Sequence, residues 1–241
     1  MKLFALSILK FFDFFHQKKI LKFLKKKKQN FDIMFDVGAH HGETIKIYTK
    51  NFDIGTLYSF EASKENFINL KNKIRKLNLK NVKIILENYA LGSQKKELFI
   101  KQMVESSSST INELNFESNY FIKKKRILLG SKKDDNLFKK LSINQVRIKD
   151  YMDSKDISKI NFLKIDTEGY EFEVLIGASD YLNKINTIIF EHHYHDMIKK
   201  NYNFADINAL LIKNNFKQVF KAKMYFRKTF EYIYENQNFK K

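Results

Sequence analysis

The chain has 241 residues and 45 Lys and Arg against 27 Asp and Glu, a formal charge of +18, with length for one α/β domain plus an extension. It has no cysteine, which excludes disulfides, thiolate metal sites and a thiol nucleophile, and no proline. No run approaches the ~20 uninterrupted apolar residues of a membrane span, and the lysines are spread along the whole chain with little arginine, so the charge alone does not argue for nucleic acid.

Residues 1–30 alternate aromatic or aliphatic residues with lysines and end in Lys25–Lys28. Lys10 and Asp13 interrupt what would be the apolar core of a signal peptide, and no cleavage site follows. The segment reads as a basic amphipathic extension packed on the domain of residues 31–241. The sharper reading is contact with an anionic membrane surface. Phe31 to Val37 then predicts a buried strand carrying Asp36 at its end. It leads through the turn Gly38-Ala39-His40-His41-Gly42 into a helix near Glu43 and Thr44. Such a turn is expected to aim N–H groups and the positive end of a helix at a ligand, with glycine where a Cβ would obstruct approach. The third glycine of a dinucleotide fingerprint is missing.

A second strand, Thr56 to Phe60, ends at Glu61, placed for the two hydroxyls of a ribose. Ser63 is a predicted N-cap for a helix with Phe67, Leu70, Ile74 and Leu77 on one face. Val82 to Leu86 is a third strand, and Asn88 and Tyr89 after it are candidates for the edge and face of an adenine. Residues 93–150 break the βα rhythm; a polar insertion over about 101–145 reads as a mobile flap or substrate-side cap, with Gln145 to Ile148 returning as a strand. Ile160 to Ile165 is a strand ending at Asp166, followed by Thr167 as a helix cap and by Glu168 and Glu171 in the first turn. Thr187 to Phe190 ends at Glu191 and is followed by His192, His193 and His195. Asn203 caps a further helix, and Phe216 to Phe220 and Thr229 to Tyr234 close the chain as strands.

In a doubly wound sheet Asp36, Glu61, Asp166 and Glu191 share one rim, at the strand carboxyl ends where such folds bind ligands. Two acids and a glycine turn suit a ligand with a positive charge and an amino group, as in S-adenosylmethionine. The segments FDVGAHHGET, FEAS, NYALG, the Ser106–Ser109 run, RIKDYM and FLKIDTEGYEFEVLIGA occur in the order of the FkbM family of S-adenosylmethionine-dependent methyltransferases, which the chain resembles from Ile33 to Glu191 and on toward Asn236. The resemblance implies a Rossmann-like class I fold: a mostly parallel seven-stranded sheet with helices on both faces. It also implies O-methylation of a hydroxyl on a saccharide, glycan or secondary metabolite. It assigns Asp36, Gly38 and Gly42 to the cofactor loop, with His40 where the family often has asparagine and Thr44 beside it. Glu61 goes to the ribose, and Asp166 and Glu168 to the neighbourhood of the transferred methyl.

Methyl transfer is an in-line displacement that depends on positioning and is helped by a base at the acceptor hydroxyl. The candidates are His192, His193 and His195, with Asp166 and Glu168 beside them. A divalent cation held by Asp166, Glu168, Glu191 and a histidine is the less favoured arrangement. Without proline the chain lacks the Asp/Asn-Pro-Pro-aromatic turn common in base amine methylation, and without cysteine it lacks the thiolate of cytosine C5 methylation. The expected acceptor is a small molecule or glycan in the cytoplasm, with nucleic acid not favoured. The competing reading is a degenerate methyltransferase fold that docks to nucleic acid or an anionic membrane.

Overall fold

A computed structural model describes residues 2–27, 30–77, 79, 81–103, 109–128 and 137–239. Lys28, Ser106–Ser108 and Lys132–Asp135, all singled out in the sequence, lie outside the described residues. In chain order the strands are β1 (Phe31–Val37), β2 (Ile54–Phe60), β3 (Lys83–Glu87), β4 (Ala90–Leu91), β5 (Lys96–Met103), β6 (Glu113–Leu114), β7 (Phe138–Val146), β8 (Ile160–Ile165), β9 (Ile185–His193), β10 (Ile198–Lys199), β11 (Phe216–Lys223) and β12 (Thr229–Asn236). The helices are α1 (Lys2–Lys26), α2 (Glu43–Asn51), α3 (Lys64–Arg75), α4 (Asn119–Leu128), α5 (Ile148–Ser154), α6 (Glu171–Gly177) and α7 (Phe204–Lys213).

The central sheet has seven strands in the order β11-β12-β9-β8-β1-β2-β3. Strands β3, β2, β1, β8 and β9 pair in parallel, and β12 enters antiparallel between β9 and β11. The order reverses between β1 and β8, which makes their carboxyl ends the crevice where a ligand is received.

Strand alternation sends Met34, Leu57, Phe162, Ile189 and Ile233 to one face, where Ile20 and Leu24 of α1, Ile45 and Tyr48 of α2 and Leu70 of α3 cover them. The opposite face sends Phe35, Leu163, Ile188 and Tyr232 against Tyr151 of α5, Val174 and Leu175 of α6 and Ile207 and Leu211 of α7. Ile20 and Leu24 are wholly buried, and at about 1.5–3 kcal/mol for each such side chain α1 is part of the core.

The insertion is ordered where it is described. β5 and β7 form an antiparallel pair from Lys96↔Gln145 to Met103↔Phe138, and β6 pairs with β10. Ile148 does not continue a strand, as the sequence suggests. β7 ends at Val146 and Ile148 opens α5, burying Ile148, Tyr151 and Met152 at helical spacing. β9 likewise runs on through His193, so His192 and His193 lie within a strand and face opposite sides of the sheet.

Candidate active site

The turn after β1 is built mostly for the protein's own packing. A Cβ on Gly38 would lie 1.9 Å from the backbone oxygen of Asp166, and one on Gly42 would lie 2.9 Å from Leu70 Cδ1. Both glycines have positive φ, 86° and 85°. The turn's N–H groups are also satisfied internally. Those of Gly38 and Ala39 donate to the Phe60 carbonyl, that of His40 to Glu61, that of His41 to Glu43 and that of Gly42 to the Ala39 carbonyl. Close packing within the protein accounts for both glycines, against the Asp166 carbonyl at Gly38 and against the Leu70 side chain of α3 at Gly42.

The strands flanking β1 bring side chains to the rim beside this turn. Glu61, at the tip of β2, accepts the His40 N–H at 2.8 Å on one oxygen and the Ser63 N–H at 2.9 Å on the other. A carboxylate has about four acceptor positions, so ribose hydroxyls still find room. Burial raises its carboxyl to about 7, against the pull of the Ser63 and His40 N–H groups. Asn88, expected at the adenine, donates its amide to the Glu61 and Ala62 carbonyls and braces this loop. On the other flank, at the tip of β8, Asp166 keeps a third of its side-chain surface and accepts from Lys164 Nζ at 3.0 Å.

Asp36 lies deeper than expected. It is fully buried beneath the turn, both carboxylate oxygens lack a hydrogen-bond partner, and Lys164 Nζ stands 3.9 Å away. Burial pushes its carboxyl up to about 6, with Lys164 and the Thr44 hydroxyl pulling the other way. Glu191 faces Glu231 directly across β9 and β12, an arrangement that like charges disfavour. Burial, Asp166 and Glu231 push Glu191 well above the usual carboxylate range. His16 of α1 reaches Glu231 at 2.5 Å. The sequence reading missed Lys164, Glu231 and His16. A lysine inside the apolar run FLKI is the one signal that could have found the first.

The segment between β8 and α6 is a bend, with Glu168 at φ 50° and Gly169 at φ 95°. Thr167 does not cap the helix. The helix has Tyr170 at its N-cap with no side-chain cap, and Glu171 instead braces the bend, accepting from the Thr167 and Gly169 N–H groups at 3.2 and 3.0 Å. Glu168 is turned toward β9, its Oε2 3.2 Å from His193 Nε2, while His193 Nδ1 meets Thr229 Oγ1 at 3.0 Å. Burial opposes both charges but the pairing outweighs it, holding Glu168 at about 2 and raising His193. His195 stacks between His193 and Tyr120 of α4, with ring centroids 5.0 and 4.1 Å away. The insertion thus closes on this bend; Thr110 Oγ1 also donates to the Glu168 carbonyl at 2.7 Å and Asn112 to that of Gly169 at 2.5 Å.

His192 is not brought to this place. It lies on the other face against Tyr194, Tyr202 and Phe204, and burial with Lys200 lowers it to about 3. Among the described residues, Asp166, Glu168 and Glu191 do not converge with a histidine as a three-ligand group. The side chains that do are His40, His41 and Glu43, with ligand atoms within 4.8 Å of one another.

A sheet of this order, with carboxylates at the tips of the two strands beside the first and a buried acid beneath the turn, has the architecture of a Rossmann-like class I methyltransferase. The methyltransferase FkbM domain matches residues 36–218, and the chain belongs to the FkbM methyltransferase family. No curated protein matches the chain.

Among solved structures it is similar to methyltransferase FkbM from Methylobacillus flagellatus KT, at 17% identity and TM-score 0.48 over 84% of this chain and 43% of that one. The chain therefore spans less than half the length of that protein. It is also similar to the magnesium protoporphyrin IX methyltransferase of Synechocystis PCC 6803 with bound S-adenosylmethionine, at 8% identity and TM-score 0.51 over 91% and 77% of the two chains. A putative tRNA methyltransferase of Streptococcus pneumoniae follows at 13% identity and TM-score 0.49 over 92% and 72%. Identities this low speak to the fold alone. The family is one of methyltransferases. Among the described residues no helix is long and apolar enough to cross a membrane.

Proposed function

We propose that this methyltransferase transfers its methyl group to a hydroxyl of a saccharide, glycan or secondary metabolite, with Glu168 meeting the acceptor oxygen and His193 positioning Glu168. The observation that supports this reading is the Glu168–His193 pair beside Asp166, in which the carboxylate keeps 20% of its side-chain surface and the imidazole 5%. His193 Nδ1 is held by Thr229 and its Nε2 faces Glu168 as a charge pair, so the more exposed carboxylate is the member open to an acceptor.

Glu61 and Asp166 would hold the nucleoside from either side of β1. S-adenosylmethionine, when bound, supplies an electrophilic methyl on sulfonium. Glu168 orients the incoming hydroxyl and takes its proton. An alcohol oxygen becomes strongly acidic as it is alkylated, so a carboxylate held at about 2 is base enough.

The test pairs two measurements on purified protein. Titration with S-adenosylhomocysteine should show binding that Glu168→Gln leaves intact. Transfer to a panel of sugar and polyketide alcohols should fall by roughly 10²–10⁴-fold in kcat. Transfer to amine acceptors but to no alcohol would overturn the acceptor class. Absence of S-adenosylhomocysteine binding would favour the docking-module reading.

A further inference from the structure

Helix α1 is longer than the sheet it covers. Its 25 residues span ~37 Å, whereas the seven residues of β1 span ~23 Å. Because α1 joins β1 at the strand's amino end, its first half overshoots the opposite, carboxyl rim. There it meets the turn between β11 and β12: Phe12 packs on Tyr225 at 5.2 Å and on Phe226 at 4.9 Å, and Asp13 pairs with Arg227 at 2.8 Å.

The outcome is an aromatic surface facing solvent. Phe11 is 58% exposed, Phe14 54% and Phe226 73%. Phe226 sits at the tip of its turn with φ 59°, a costly conformation for a bulky side chain. Lysines border the patch. Lys18 lies 4.4 Å from the Phe14 ring centre and Lys19 4.7 Å from that of Tyr225, while Lys221 and Lys223 line a cleft of about 520 Å³ beside Phe226. Within residues 11–27 and 217–230 the one acid is Asp13, already paired.

We propose that this composite surface, α1 from Phe11 to Lys19 together with the turn Met224–Arg227, docks the protein on an anionic lipid bilayer. A cluster of exposed aromatic rings with lysines around it matches the headgroup boundary of such a membrane, where rings enter the interface and ammonium groups meet phosphates. The surface also has a definite place in the molecule. Thr229, three residues beyond Phe226, pairs with His193 and hydrogen-bonds its ring. The docking face and the Glu168–His193 pair therefore share one rim, and an enzyme seated this way presents its acceptor side to the bilayer. That last step rests on the methyltransferase reading; the docking itself does not.

The experiment is flotation of the full-length protein with phosphatidylcholine vesicles, with and without phosphatidylglycerol. Expected is recovery with the anionic vesicles only, lost as salt is raised. The doubly substituted Phe11→Ser, Phe226→Ser protein should show about a tenfold or larger drop in partition with unchanged circular dichroism and S-adenosylhomocysteine affinity. A Lys18→Glu, Lys223→Glu protein should lose the preference for phosphatidylglycerol. The proposal is overturned by no flotation, by equal recovery with neutral vesicles, or by indifference to the phenylalanine substitutions. It is also overturned if those substitutions instead abolish self-association or binding to a single-stranded RNA probe. Loss of S-adenosylhomocysteine binding with flotation retained would count against the enzyme reading and leave the docking in place.

Discussion

Asp36→Asn isolates the cost of keeping a carboxylate under the cofactor turn. Asp36 has no exposed surface and no hydrogen-bond partner on either oxygen. Burial raises its carboxyl from 3.8 to about 6, more than Lys164 lowers it. For an acid raised in the folded state, the native protein is most favoured while the group is protonated in both states. Stability then declines as pH rises from the unfolded value of 3.8 toward about 6 and levels off above that. The full decline is about 3 kcal/mol, about half of which falls between about pH 5 and about pH 8. Asparagine has no such proton to lose, and Lys164 keeps Asp166 at 3.0 Å as its counter-charge. Urea unfolding followed by circular dichroism at the two pH values should therefore show the variant gaining about 1 kcal/mol or more on the parent as pH rises. Parallel pH profiles for the two proteins would refute the reasoning, since they would mean that Asp36 ionises in the fold as easily as in the unfolded chain.

Two further outcomes follow from the same geometry. Glu61→Gln keeps an acceptor for one of the two N–H groups now bound to the carboxylate, so it should weaken S-adenosylhomocysteine binding by about tenfold or more and cost about 1–3 kcal/mol of stability; unchanged affinity by calorimetry would remove Glu61 from the site. Gly38→Ala places a methyl 1.9 Å from the Asp166 carbonyl at φ 86°, a strain expected to exceed about 4 kcal/mol, so a soluble variant with a native melting temperature would contradict the close contact of β1 and β8.

Much of the fold was legible because its signals are local. Alternation and apolar runs mark β1, β2, β8 and β12, and strand-end acids mark the rim. Ser63 and Asn203 cap their helices as their types suggest. What was not legible depends on register between distant strands. Nothing near Glu191 says that Glu231 will stand opposite it, and nothing near His16 says that it will reach across the sheet to meet that acid. The three histidines illustrate the same limit. Read as a loop they look equivalent, but β9 extends through His193, so alternation sends His192 into the far core and His193 to Glu168. The glycine turn was legible, but the backbone carbonyl that Gly38 packs against lies more than 120 residues away and is not.

The insertion of β12 between β9 and β11 bears on when the enzyme becomes competent during its own synthesis. The Thr229 hydroxyl that steadies His193 belongs to the strand made after nearly everything else it touches. A nascent polypeptide paused before this point has β9 with a bare edge, and its His193 lacks the hydroxyl of Thr229. Translation must run past Asn236 and clear the exit tunnel before the strand can slide home and give His193 its threonine partner.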